Sequence, residues 1–226
     1  LGNFQRFQMR AGTPNGANYQ VVPSPFNFAQ ATLEIPAFAV DASNADVHTI
    51  SLIDHLPKLL DKKEGSLVLF SSRRQMQEVY DEMPDSVRDL ILIQGDNSKQ
   101  EMLAQHKRKI DDGEGSILFG LASFSEGVDL SGDDCRHVII AKLPFAVPDD
   151  PIESALSEWV ESRGGNAFMD ITVPDASLKL VQACGRLLRT ETDSGKISLL
   201  DRRILTKRYG KAILNSLPPF TQVVHK

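Results

Sequence analysis

Four short runs, apolar after at most one polar opening residue, lie at 66–70, 90–93, 116–119 and 137–141, and a fifth at 196–200 carries Lys196 and Ser198 among apolar residues. A run of four or five residues without polar alternation suits a strand covered on both faces. Segments of helical character lie between them, at 73–83, 99–111, 151–162 and 176–188, and a last one covers 205–217 before Pro218-Pro219. Pro151 stands at a first helical position, where its missing amide costs nothing. Strands alternating with helices require parallel crossovers, so the predicted fold is α/β, a mostly parallel sheet with helices on both faces. Upstream, Leu52, Ile53, Leu56, Leu59 and Leu60 give 50–62 a helical spacing interrupted by Pro57. Residues 31–36 and 38–40 read as short strands and 23–28 as a stiff extended stretch. Residues 1–22, rich in Gly, Asn and Gln, read as an irregular lead-in. The expected organisation is therefore a lead-in at 1–22, one domain at 23–220 and a tail at 221–226.

The net charge of −5 over 226 residues argues against gripping nucleic acid by bulk charge. It leaves room for a local groove of hydroxyls, amides and a few arginines. No apolar run approaches the roughly 18 residues of a membrane span. Cys135 and Cys184 are too few for a disulfide framework or a four-thiolate metal site, and they fit a reducing cytoplasm. Both read as small, semi-buried apolar residues. Leu1 is not a start methionine, which suggests a piece of a longer protein.

Two strings carry chemistry. Gln182-Ala183-Cys184-Gly185-Arg186-Leu187-Leu188-Arg189 has the form Q-x-x-G-R-x-x-R. On a helix over 176–188, Gln182, Arg186 and Arg189 would share a face, and Gly185 would admit a ligand or another backbone. Two planar guanidiniums suit a polyphosphate; a surface helix with solvated arginines is the plainer alternative. The second string, Phe124-Ser125-Glu126-Gly127-Val128-Asp129-Leu130, follows the third run, at the strand end where open α/β sheets place ligands. Gly127 there permits an unusual turn, and an ordinary polar loop is the alternative.

Taken in order, the two strings resemble motifs V and VI of superfamily 2 helicases, and Leu69-Phe70-Ser71-Ser72-Arg73 resembles motif IV. The wording is most similar to the XPD/DinG branch of DNA helicases. Leu199-Leu200-Asp201-Arg202-Arg203 matches that branch's L-x-D-x-R strand end. Lys142-Leu143-Pro144-Phe145, Arg208-Tyr209-Gly210-Lys211 and Leu217-Pro218-Pro219-Phe220 look most like the YoaA group of DinG paralogues. The resemblance implies a second, C-terminal RecA-like motor lobe of a helicase moving 5′ to 3′. Arg189 would be the arginine finger, Arg186 its companion and Gln182 a placing residue. Glu126, Gly127, Asp129 and Gly185 would line the ATP joint. Single-stranded DNA would meet Ser71, Ser72, Arg73, Gln94 and Ser125, with Ser71 and Ser72 also serving as a helix cap.

The pattern G-x-x-x-x-G-K-[ST] is absent: Thr190 stands where Gly195-Lys196 needs a glycine, and Leu205 where Gly210-Lys211 does. The resemblance therefore places ATP and Mg²⁺ mainly on a first lobe outside this chain, which alone is expected to be inactive. A 4Fe–4S cluster, where present, would also belong to that lobe, and no metal is assigned to this chain. Other implied partners are the first lobe itself and the χ subunit of the DNA polymerase III clamp loader, the latter making the chain a docking module. Arg202, Arg203, Lys207 and Arg208 either flank DNA or bind an acidic partner. Lys107-Arg108-Lys109 reads as a solvated face, and Trp159 as core or an inter-element contact. A doubly wound kinase or dehydrogenase would need a Gly-rich phosphate loop, and no G-x-G-x-x-G occurs.

Overall fold

The computed structural model describes residues 4, 7, 8, 11–146 and 151–225, the Ser125 side chain excepted. The elements run β1 (Ala31–Ile35), α1 (Ala45–Leu59), β2 (Gly65–Phe70), α2 (Arg73–Asp81), α3 (Asp85–Arg88), β3 (Ile91–Ile93), α4 (Lys99–Asp111), β4 (Ser116–Leu121), β5 (His137–Ile140), α5 (Pro151–Ser162), α6 (Val173–Cys184), β6 (Gly195–Leu199), α7 (Arg203–Thr206), α8 (Arg208–Ser216) and β7 (Thr221–Val224). The strands form one sheet in the order β3-β4-β2-β5-β6-β1-β7, and every pairing is parallel. All carboxyl ends of the strands therefore lie along one edge.

Alternate residues of each central strand feed two cores. Leu67, Leu69, Leu118, Val138, Ile140 and Ile197 pack on one face, with Met102 of α4, Leu180 of α6 and Ile213 of α8. Val68, Phe70, Ile117, Phe119 and Ile139 pack on the other, with Leu52 and Leu56 of α1, Met76 and Val79 of α2 and Val87 of α3. Burying both faces is what unbroken apolar runs require. Local capping fixes the helix starts: Asn44, Ser72 and Ser98 accept the amides of Val47, Gln75 and Glu101.

Several expectations change. Residues 38–40 contribute only an isolated bridge between Val40 and Asp201. Residues 221–224, expected in a tail, form the edge strand β7 against β1. The helix expected at 205–217 is two helices, α7 and α8, parted at extended Lys207. The helix expected at 176–188 starts earlier, behind a π turn at Phe168–Thr172, and stops at Cys184. Trp159 is 43% exposed beneath the Arg163 guanidinium and is not core. Cys135 and Cys184 are both fully inside, which pushes each thiol up to about 12, chiefly by burial.

Candidate functional site

The β4 exit is a tight turn. A 3-10 turn at Ala122–Ser125 leads into Gly127, whose φ of +66° is the left-handed conformation that favours glycine. The Val128 carbonyl then faces the segment after α6. Arg186 Nη1 donates to it at 2.7 Å and Arg189 Nη2 at 3.0 Å. Arg189 Nε also lies 3.8 Å from the exposed Asp129 carboxylate. The Nε of both arginines is buried without a hydrogen-bond partner. Two like charges thus meet on one neutral carbonyl, beside a single solvated carboxylate. Paired guanidinium forks of this kind suit an anion.

The arginines do not share a helix face, because both follow the helix end. Successive bonds from the Arg186 amide to the Ala183 carbonyl and from the Leu187 amide to the Cys184 carbonyl wind the chain off α6. Gly185 keeps a helical φ of −66°. Among the described residues, a Cβ there would meet only the Val181 and Gln182 carbonyls of its own helix, so none from another element uses the space expected for close approach.

Asp193, which the sequence reading missed, organises this segment. Its Oδ2 accepts the amides of Arg189 at 2.7 Å and Thr190 at 2.8 Å, and its Oδ1 accepts the Thr190 hydroxyl at 2.6 Å and the Gly132 amide at 3.1 Å. Burial pushes its carboxyl up, but the Thr190 hydroxyl and the three amides together hold it below the ordinary range. The one available signal was the T-x-x-D spacing from Thr190 to Asp193, a side chain folding back on its own turn.

Gln182 is placed apart from the arginines. It lines a cavity of about 120 Å³ with Ser71, Ser123, Glu126, Lys142 and Lys179, between the β2, β4 and β5 exits and α6. Burial, then the nearby Arg203 charge, holds the Lys142 ammonium below its usual range. Ser72 accepts the Gln75 amide at 3.4 Å, and Arg73 opens α2 in solvent. Gln94 Oε1 accepts the Leu121 amide at 2.8 Å, so its acceptor is engaged inside the lobe. The Ser125 side chain lies outside the described residues.

The basic groups further along are spoken for in part. Arg203 makes a buried fork on Asp201, with Nη2 at 2.6 Å from Oδ2, and cannot flank a nucleic acid. Lys207 pairs with Asp41 at 3.1 Å, and Lys107 with Asp134 at 3.3 Å. Among the described residues, no group of three or more His, Cys, Asp or Glu side chains is placed to hold a metal ion. Among them, too, no helix is long and apolar enough to cross a membrane.

Comparison with known proteins fits this geometry. Residues 56–220 match the family described as helicase C-terminal domain. The ATP-dependent DNA helicase DinG of Photobacterium profundum is 47% identical over 230 residues, covering 99% of this chain and 33% of that protein. The Escherichia coli protein of the same name is 36% identical over 227 residues, covering 97% and 32%. The chain thus spans about a third of the length of the curated relatives it matches. Among solved structures, an XPD helicase superposes with a TM-score of 0.65 at 20% identity, over 86% of this chain and 35% of that one. Xpd4 of S. tokodaii gives 0.63 at 17%, over 95% and 42%. The fold is therefore that of an XPD-type RecA-like lobe, and the chain belongs to the helicase C-terminal domain family, on its DinG-like branch.

Proposed function

We propose that the chain is the C-terminal motor lobe of an ATP-dependent DNA helicase working in repair or replication, moving 5′ to 3′ on a single strand. The observation that carries this is the convergence of Arg186 and Arg189 on the Val128 carbonyl, next to Asp129. In phosphoryl transfer, charge spreads onto the phosphoryl oxygens, and an arginine offered across a closing cleft stabilises it there. Arg189 supplies that fork and Arg186 braces it. Asp129 meets the nucleotide or relays between nucleotide and DNA, while Glu126, Gly127 and Gly185 line the joint. Gln182, beside Ser71 and Glu126, serves the cavity side of the joint rather than the arginines. Magnesium, when bound with ATP, would neutralise phosphate charge, and the family resemblance assigns its ligands mainly to the first lobe.

The strand exits supply the DNA side. Ser71, Ser72 and Arg73 present hydroxyls, a guanidinium and a helix start along one edge, which suits a backbone held without sequence readout. The deciding measurement is ATP hydrolysis by the full-length protein, with and without single-stranded DNA. Arg189→Ala is expected to lose about 10³-fold or more in turnover. Normal turnover in that variant would make Arg189 a surface residue and overturn the motor assignment of this pair.

A second reading, docking on a replisome partner such as the clamp-loader χ subunit, is favoured by apolar side chains on α5 and the turn after it. Ile152, Trp159, Phe168 and Met169 are 76%, 43%, 42% and 40% exposed. Trp159→Asp in the full-length protein should weaken χ binding about tenfold or more. Undiminished affinity would remove this face from that role.

A further inference from the structure

Strands β3, β4 and β2 are neighbours, so their exits stand side by side on the carboxyl edge. Two side chains tie the β3 exit to the β4 exit. Gln94 holds the Leu121 amide, at the start of the turn. Lys99, the first residue of α4, donates from Nζ to the Glu126 carbonyl, at the end of the turn. The same ammonium lies 5.1 Å from the centroid of the buried Phe124 ring. Phe124 is itself a knob seated on Gly120, where a Cβ would lie 2.7 Å from ring atoms. The turn is thus pinned at 121, 124 and 126. Only Gly127 separates Glu126 from Val128, whose carbonyl takes both arginines.

Lys99 is an odd choice for helix formation. A cation in the first turn opposes the helix dipole, and Ser98 already caps the helix. Its position is explained by what its ammonium reaches. The β3 exit also rests against the DNA-side residues, since a Cβ on Gly95 would lie 3.0 Å from Arg73 Nη1. Contiguous contacts therefore run from Arg73 through the 94–99 loop to the Val128 carbonyl.

We propose that Lys99 is a positioning residue, holding the Glu126–Val128 backbone so that the arginine pair is set, and linking that setting to the β3-exit loop beside Arg73. This rests on the motor reading given above. The test uses the full-length protein with Lys99→Met, Lys99→Arg and, as reference, Arg189→Ala. Lys99→Met should lower DNA-stimulated kcat about tenfold. Its KM for ATP and its single-strand affinity without nucleotide should stay within about twofold. Hydrogen exchange across 122–128 should quicken, and the melting temperature should hold or rise, because an unfavourable helix-end charge is gone. Lys99→Arg should restore both kcat and protection. Unchanged kcat and exchange in Lys99→Met would overturn the proposal, as would a lowered melting temperature that Lys99→Arg does not repair. If wild type is not DNA-stimulated, or Arg189→Ala is unimpaired, the motor reading fails instead. The exchange data alone then decide whether Lys99 holds the turn.

Discussion

At the scale of single residues, the arrangement of the arginine pair depends on an acid that touches neither guanidinium. Asp193 gathers two consecutive amides, a hydroxyl and the Gly132 amide, and so fixes the backbone from which Arg189 projects. Asparagine there would turn an amide group toward donors. Hydrogen bonds to a charged group contribute about 1.5–3 kcal/mol each, so Asp193→Asn should cost about 2–3 kcal/mol at pH 7, measured by urea unfolding. The sign of its pH dependence follows from the lowered carboxyl. The contribution is complete above the unfolded value of about 3.9 and is lost as pH falls through the lower folded value. The gap between wild type and variant should therefore close in acid. Equal stabilities at pH 7 would show that the segment holds its shape without the carboxylate. The sequence displayed Arg186 and Arg189 openly, but their meeting point is a main-chain carbonyl, which has no side-chain signature. The contact between Gln94 Oε1 and the Leu121 amide has no signature in the sequence for the same reason, since its partner is again main chain.

At the scale of elements, what was legible was what burial alone decides. The central strands were readable because both faces of β2 and β5 are inside, leaving polar residues only near the strand starts, at Ser66 and His137. The end of α6 was not, because Leu180, Ala183, Cys184, Leu187 and Leu188 keep a helical spacing past the last helical residue. All five are buried, so the core demanded apolar groups at those positions whether or not the backbone stayed helical. The edge strand β7 failed in the opposite way. All four of its residues are exposed, and only pairing with β1 makes them a strand. The break between α7 and α8 is likewise tertiary. Arg203 is clamped on Asp201, and Gly210 sits so close to the Ile204 carbonyl that a Cβ would collide with it. The paired loops at the carboxyl edge belong to the same class of fact. Motif spacing located each loop, whereas the Lys99 and Phe124 contacts that join them arise only once β3 and β4 lie side by side.

At the scale of the whole molecule, three buried imidazoles join elements distant in the chain and make the lobe acid-sensitive. His48 of α1 donates from Nε2 to the Ala141 carbonyl at 2.8 Å, bonding the helix to the β5 exit. His106 of α4 joins Ser116 at the start of β4 to the Asp134 carbonyl. His137 of β5 meets the Ser198 hydroxyl of β6 at 2.8 Å. Burial, the largest cause in each case, pushes all three below the ordinary histidine value, with His137 down to about 3. Above pH ~6.5 neither the folded nor the unfolded chain carries these protons, and stability does not depend on them. Below it the unfolded chain takes them up while the native lobe does not, so stability falls with pH until each folded value is reached. The slope is at most about 1.4 kcal/mol per pH unit for each histidine. Carboxylates titrate lower, so the interval from pH 7 to 5 isolates the imidazoles. Urea unfolding across that interval should show a steady loss, and His137→Gln should flatten it by up to one proton's share. A stability unchanged from pH 7 to 5 would mean that the native lobe accepts these protons as readily as the unfolded chain does, which the enclosure of all three rings argues against.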